Sequence, residues 1–332
     1  MIPDAGELYT GCVGIAFNAE PERGRKLALS EAGMRYLLEA VSAGSMRAAG
    51  DRLNVAPSSI SRQIAQLESQ YGLALIEKAR RGVRLTHAGE IVVAHYRNQL
   101  ADREALRAKL GELRSVRTGQ VTAAVGEGFA GKSFTGIVSQ FSKANPLIRL
   151  EILTGTTREI VQMIADDEAH FGLVFSNPND MKIHVRSVFA QPLMAIMLPD
   201  HPLSAQQSVT IPELAQVPLV LPPASFRIRQ ILSAAEANSK TYLQPAITSN
   251  SIHVMQDAVR TGIAIAILPQ ISVWSELTEG TMVSVPIADD SMEETTTSLV
   301  LRAGRQLEGA PQRLLKQIEA QLRQWRVPVR RG

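Results

Sequence analysis

The chain has 332 residues, 45% hydrophobic and 20% charged, a globular composition long enough for two or three domains, which excludes general disorder. No apolar run reaches the ~18–20 residues of a membrane helix, and Asp4, Glu7, Glu20 and Glu22 interrupt any secretory signal, so a cytoplasmic protein with no membrane partner is expected. One cysteine, Cys12, rules out an internal disulfide and a Cys-based zinc site, and no His-x-x-x-His pair occurs, so no metal or cofactor is expected.

The net charge of +3 is unevenly placed. From Met34 to His87 eight Lys or Arg stand against four acids, whereas from Gly119 onward 18 stand against 19. A basic module on a near-neutral body points to a polyanion partner for the first part alone.

Residues 1–29 carry Gly and Pro without a sustained period and read as a flexible extension with no function assigned. Ser30, with Glu31 behind it, is a helix N-cap, and Leu37, Leu38 and Val41 follow helical spacing up to the Gly44-Ser45 break. Met46 to Leu53 forms a short second helix, in which Ala48 and Ala49 let another helix cross closely, and Asn54 suits the tight turn that follows. Pro57 opens a third helix whose Ile60, Ile64 and Leu67 make one buried stripe. Its other face offers Ser58, Ser59, Ser61, Arg62, Gln63 and Gln66. Two short helices joined tightly, the second apolar behind and hydrogen-bonding in front, match a helix-turn-helix whose second helix enters the major groove. Leu73 to Ile76 and Val83 to Leu85 read as strands around Arg80-Arg81-Gly82, a wing on which Arg80, Arg81 and Arg84 hold phosphates. A solvated helix face and a loop would explain any one of these features; their order and spacing together argue for DNA.

The run Ala48-Ala49, Leu53-Asn54-Val55-Ala56-Pro57-Ser58-Ser59-Ile60-Ser61-Arg62-Gln63-Ile64, Leu67-Glu68, Gly72 and Leu85-Thr86-His87-Ala88-Gly89 resembles the DNA-binding domain of LysR-type transcriptional regulators. Pro57, Ile76 and Lys78 depart from the family's usual Gln, Phe and Arg. The resemblance implies a winged helix-turn-helix over 30–86, double-stranded promoter DNA as partner, and RNA polymerase as a further one.

Thr86 is a good N-cap, and the absence of Pro from His87 to about Arg117 predicts one helix of ~31 residues and ~45 Å, placed in a linker over 87–118. Val92, Tyr96, Leu100, Leu106, Leu110 and Leu113 form a seam suited to a second copy; the alternative is a helix lying on its own domain. By resemblance the linker helices pair, giving a homodimer and then a homotetramer.

Beyond Gly119, apolar runs at Val121 to Val125, Ile148 to Leu153, Gly172 to Phe175, Leu193 to Leu198, Leu219 to Leu221, Ile263 to Leu268 and Leu299 to Leu301 alternate with helical stretches. This predicts an α/β body with largely parallel sheets. Breaks near Gln191-Pro192 and Pro286 to Asp290 divide it into subdomain one (119–190 and 290–326) and subdomain two (191–289), with a basic tail at 327–332. The layout is similar to the family's periplasmic-binding-protein-like effector domain, ending in a helix over Ala310 to Trp325. A small-molecule effector is then expected in the cleft between subdomains, where helix N-termini favour anions. Three loops qualify: Gly126 to Ser133 (with Gly128, Phe129 and Ser133), Gly155-Thr156-Thr157, and Ser249-Asn250-Ser251. The resemblance adds Phe175, Ser176 and Pro223. Each Ser or Thr also serves as a plain N-cap. Glu127 would repel an anionic effector, so it points away or meets an amino group, and His170 is read as structural.

A competing reading rests on Gly126-Glu127-Gly128-Phe129-Ala130-Gly131, which fits G-x-G-x-x-G between a strand and a helix, with Glu151 twenty residues on. It would make the body a dinucleotide-sensing regulator or an NAD-dependent oxidoreductase. Against it, Glu127 would face the pyrophosphate, and Glu151 falls inside its strand. No nucleophile elbow competes, because Gly131 to Gly136 has one residue too many, and Asp166, Asp167 and Glu168 read as a solvated helix end, so no enzyme is expected.

Overall fold

The computed structural model describes residues 30–77, 82–113 and 118–325, in two compact units, one to Tyr96 and one from Arg97 on. The extension 1–29, Arg80, Arg81, the expected helix end at Arg114 to Arg117 and the basic tail lie outside the described residues.

In the first unit α1 (Glu31–Ser42) starts at Ser30, whose Oγ accepts from Gly33 N at 3.2 Å. α2 (Met46–Leu53) ends at Asn54, which is left-handed at φ 54°, and α3 (Pro57–Tyr71) follows at once. Ala49 is buried and Ala48 half-buried, but the position with no room is Gly50, where a Cβ would stand 2.7 Å from Val55 O. Ile60, Ile64 and Leu67 join Met34, Leu37 and Leu75 in the core, the predicted stripe. The wing is slighter than two strands: Ile76 and Leu85 make a lone antiparallel bridge, backed by Glu77 N to Arg84 O at 2.9 Å. Its base is held instead by the Glu68 carboxylate, which accepts from Leu75 N (2.7 Å) and Ile76 N (3.1 Å).

α4 (His87–Leu113) is capped by Thr86, whose Oγ1 accepts from Gly89 N at 3.1 Å. Val93 and Tyr96 are buried in the first unit's core and Val92 packs on it. The predicted seam is therefore corrected at its start: Val92 and Tyr96 cover their own domain, and the exposed leucines are Leu100, Leu106 and Leu110.

The second unit carries two five-stranded sheets. The first, ordered β2-β1-β3-β10-β4, uses β1 (Gly119–Gly126), β2 (Ile148–Gly155), β3 (Phe171–Phe175), β4 (Ile183–Ala190) and β10 (Thr296–Arg302). The second, ordered β7-β6-β8-β5-β9, uses β5 (Leu193–Met197), β6 (Leu219–Leu221), β7 (Ile247–Thr248), β8 (Ile265–Pro269) and β9 (Val283–Pro286). The chain crosses between sheets after β4 and again between β9 and β10. Both sheets are mixed, a correction to the largely parallel expectation: β10 runs antiparallel to β3 and β4, and β5 antiparallel to β8 and β9. The crossing strands enter each sheet against the direction of its βαβ units.

The helices complete the layers. α5 (Lys132–Ala144), α6 (Thr157–Ala165) and α12 (Gly309–Gln324) bury Phe134, Ile160 and Leu314 among the first sheet's residues. α7 (Ile211–Leu214), α8 (Arg227–Ser239), α9 (Ile252–Arg260), α10 (Trp274–Glu279) and α11 (Asp290–Glu293) belong with the second. The side chain of Phe175 packs against both cores.

Candidate DNA-reading face and effector cleft

On α3 the buried stripe turns the opposite face outward, leaving Ser58, Ser59, Ser61, Arg62 and Gln66 exposed. Ser61 Oγ also donates to Pro57 O at 3.2 Å, so it is shared with the helix. Arg84 is exposed on the wing, and Arg80 and Arg81 lie outside the described residues. A helix presenting hydroxyls, an amide and one guanidinium suits base edges and phosphates.

Residues of α4 from Arg97 onward lie against the body through one helical stripe. Arg97 pairs with Asp166 at 2.8 Å, Asn98 accepts from Arg302 at 2.7 Å, and Glu104 bonds Arg305 (2.8 Å) and His170 (2.6 Å). Burial works against the Glu104 charge, but the bond with His170 and the Arg305 guanidinium outweigh it and lower its pKa. His170 also accepts from Thr122 N on β1 at 3.0 Å, so one ring ties the helix to the sheet. The Asp166 to Glu168 run is a solvated helix end only at the exposed Glu168: Asp167, left-handed at φ 58°, takes Arg302 and Arg305, each at 2.8 Å.

The predicted cleft residues are placed unequally. Thr156 caps α6 in a capping box with Glu159, and its backbone and hydroxyl bonds hold the Glu159 carboxyl below its ordinary pKa. Thr157 Oγ1 donates to Phe175 O at 3.1 Å, and Ser176, left-handed at φ 76°, donates its N–H to Thr296 O at 2.7 Å. Ser249 Oγ accepts from Ser251 N at 3.1 Å, whereas Asn250 is exposed and Pro223 half-buried at the entry to α8. A cavity of about 160 Å³ takes Phe129 and Ser133 of the predicted set, and the other eight do not line it. It adds Gln256, Arg260, Trp274 and Trp325, which sequence reading missed: the Arg260–Asp257 ion pair is a routine i,i+3 surface pattern, and no spacing joins the tryptophans.

The G-x-G-x-x-G loop does not offer a pyrophosphate seat. Glu127 Oε1 accepts from Ser251 Oγ (2.8 Å) and Ile252 N (3.1 Å), reaching the start of α9. Glu151 sits mid-strand, accepting from Thr122 Oγ1 and Gln120 Nε2, each at 3.1 Å, away from the strand end where a ribose would lie.

Residues 32–90 match the family described as bacterial regulatory helix-turn-helix protein, lysR family, and residues 114–323 match the LysR substrate binding domain. The chain belongs to the LysR family. It is 23% identical over 263 residues to the HTH-type transcriptional regulator BbuR of Bordetella bronchiseptica, covering 79% of this chain and 81% of that one. Among solved structures, full-length OxyR from Pseudomonas aeruginosa gives a TM-score of 0.63 at 19% identity, covering 89% and 95% of the two chains. CbnR complexed with its target DNA gives 0.50 at 18%, covering 89% and 99%. At these identities the likeness is one of fold, and it agrees with the winged α module and the two-subdomain α/β body. As a LysR-family member the chain is a DNA-binding transcriptional regulator with an effector-binding domain. Among the described residues no helix is long and apolar enough to cross a membrane.

Proposed function

We propose that this LysR-family chain reads promoter DNA in the cytoplasm through α3. Ser58, Ser59, Ser61, Arg62 and Gln66 meet base edges and nearby phosphates, and Arg80, Arg81 and Arg84 grip the backbone. The observation that carries this reading is the two-sided α3: an apolar stripe fully in the core and an outward face that is polar but for Pro57 and Ala65, within the matched helix-turn-helix. Leu106 and Leu110, on the side of α4 away from the Glu104 anchor, pair two copies into a homodimer that associates further into a tetramer and meets RNA polymerase at the promoter. The module 30–86, the linker 87–118 and the effector body 119–326 are its working divisions, the body splitting at 191 and again between α11 and β10 into two subdomains.

A small-molecule effector occupies the cleft bordered by Gly128, Phe129, Ser133, Thr156, Thr157, Phe175, Ser176, Pro223, Ser249 and Asn250. By preferring one subdomain geometry, it shifts the spacing of the paired DNA-binding modules. Selection of bound fragments from the source genome tests the first part: enrichment of a dyad-symmetric site supports it, and no preference over random duplex overturns it. Three cations per subunit in a dimer give a log–log salt slope of about −5, and a slope near zero contradicts the footprint.

A further inference from the structure

We infer that Glu127 sets the effector class of the cleft, making it take a ligand that presents an amine and refuse one that presents a carboxylate. The inference rests on the cleft being the effector site. Glu127 belongs to the first sheet's body, in the short 3-10 turn after β1, yet its Oε1 accepts from Ser251 Oγ at 2.8 Å and Ile252 N at 3.1 Å. Ser251 is the N-cap of the nine-residue α9, so the chain's own carboxylate fills the donors and faces the positive end of that helix. The turn is pressed home: a Cβ on Gly128 would stand 3.0 Å from Ser272 Oγ, on a buried residue of the opposite subdomain. α6 is filled the same way, with Thr156 N and Oγ1 donating to Glu159 Oε2 at 2.8 and 2.9 Å. Two of the three helix starts that the sequence offers to a ligand acid therefore already hold an acid of the protein.

A ligand carboxylate would have to displace Glu127 and then share a half-buried cleft with it, and two like charges in one low-dielectric site oppose each other's ionisation. An ammonium meets a carboxylate already fixed in place. Both of the bonds across the cleft end on Oε1, which leaves Oε2 to accept a charge-assisted hydrogen bond from the ligand.

The test uses matched probes differing only in head group, n-butylamine and n-butyrate, titrated by ligand-observed NMR into the full chain and its Glu127→Ala and Glu127→Gln variants. The wild type should bind the amine about tenfold tighter than the acid. Glu127→Ala should reverse the order, as butyrate takes the vacated donors, and Glu127→Gln should remove the preference. Should Glu127→Ala fail to fold, Glu127→Gln, which keeps an acceptor for Ser251 and Ile252, carries the comparison. Butyrate binding the wild type as tightly as the amine, an unchanged order in the variants, or no binding of either probe to any of the proteins overturns the inference. Gel shifts on the same samples keep the two readings apart: a probe that binds without changing the mobility of the DNA complex sinks the effector-cleft reading, whereas a mobility change with an unchanged head-group order sinks only this one.

Discussion

Arg62 is the one cation on the exposed face of α3, between hydroxyls that carry no charge. If it reads a guanine edge, Arg62→Ala costs about 1–3 kcal/mol, concentrated at one base position. Affinities for the selected site and its single-base variants check this, because a loss equal on every sequence makes Arg62 a phosphate contact. Glu68 has a different role, holding Leu75 and Ile76 N–H at the base of the wing. Glu68→Ala leaves both donors without their acceptor, which should destabilise the module by about 1–3 kcal/mol, read by thermal melting and by faster amide exchange at 75–77. The face of α3 was legible in the sequence because a 3.6-residue period fixes both sides of a helix at once. The Glu68 clamp was not, since a carboxylate near a helix end has the same residue type whether it is solvated or bonded to a strand.

Helix α4 shows how one long element serves two units. Its start closes the first unit's core with Val93 and Tyr96, and from Arg97 on its contacts are ion pairs to the body. A seam drawn from apolar spacing misplaced its first two residues, Val92 and Tyr96, because spacing does not say which of two apolar stripes meets its own domain. Leu106→Asp with Leu110→Asp should lower the oligomeric state in sedimentation and leave the melting of the monomer nearly unchanged, since both side chains are exposed. Loss of folding in place of dissociation would put those leucines against the protein's own surface. The Glu104 anchor has a pH signature. Its pKa is lowered in the fold, so its contribution is complete above the ordinary carboxylate value of about 4.3 and is lost as pH falls through the lowered one. Melting of the full chain between neutral and acid pH should show a steeper acid loss in the wild type than in Glu104→Gln, and equal profiles would remove Glu104 from the linkage.

The body is two sheets joined by crossing strands, with Phe175 packed into both cores and Glu127 reaching from one side to the other. β4, β7 and β9 went unread in the chain: β4 alternates exposed and half-buried residues at a sheet edge, β7 has two residues, and β9 ends in proline. Order along the chain was enough for the helix-turn-helix, the capped long helix and the α/β alternation, because local hydrogen bonding, capping and hydrophobic period are properties of neighbouring residues. The partners of Asp166, Asp167 and Glu104 and the seat taken by Glu127 depend on residues 66 to 201 positions apart, and strand direction likewise on pairing between distant segments. Only folding brings such groups within bonding distance, so no local pattern encodes which carboxylate finds a guanidinium and which fills a helix start.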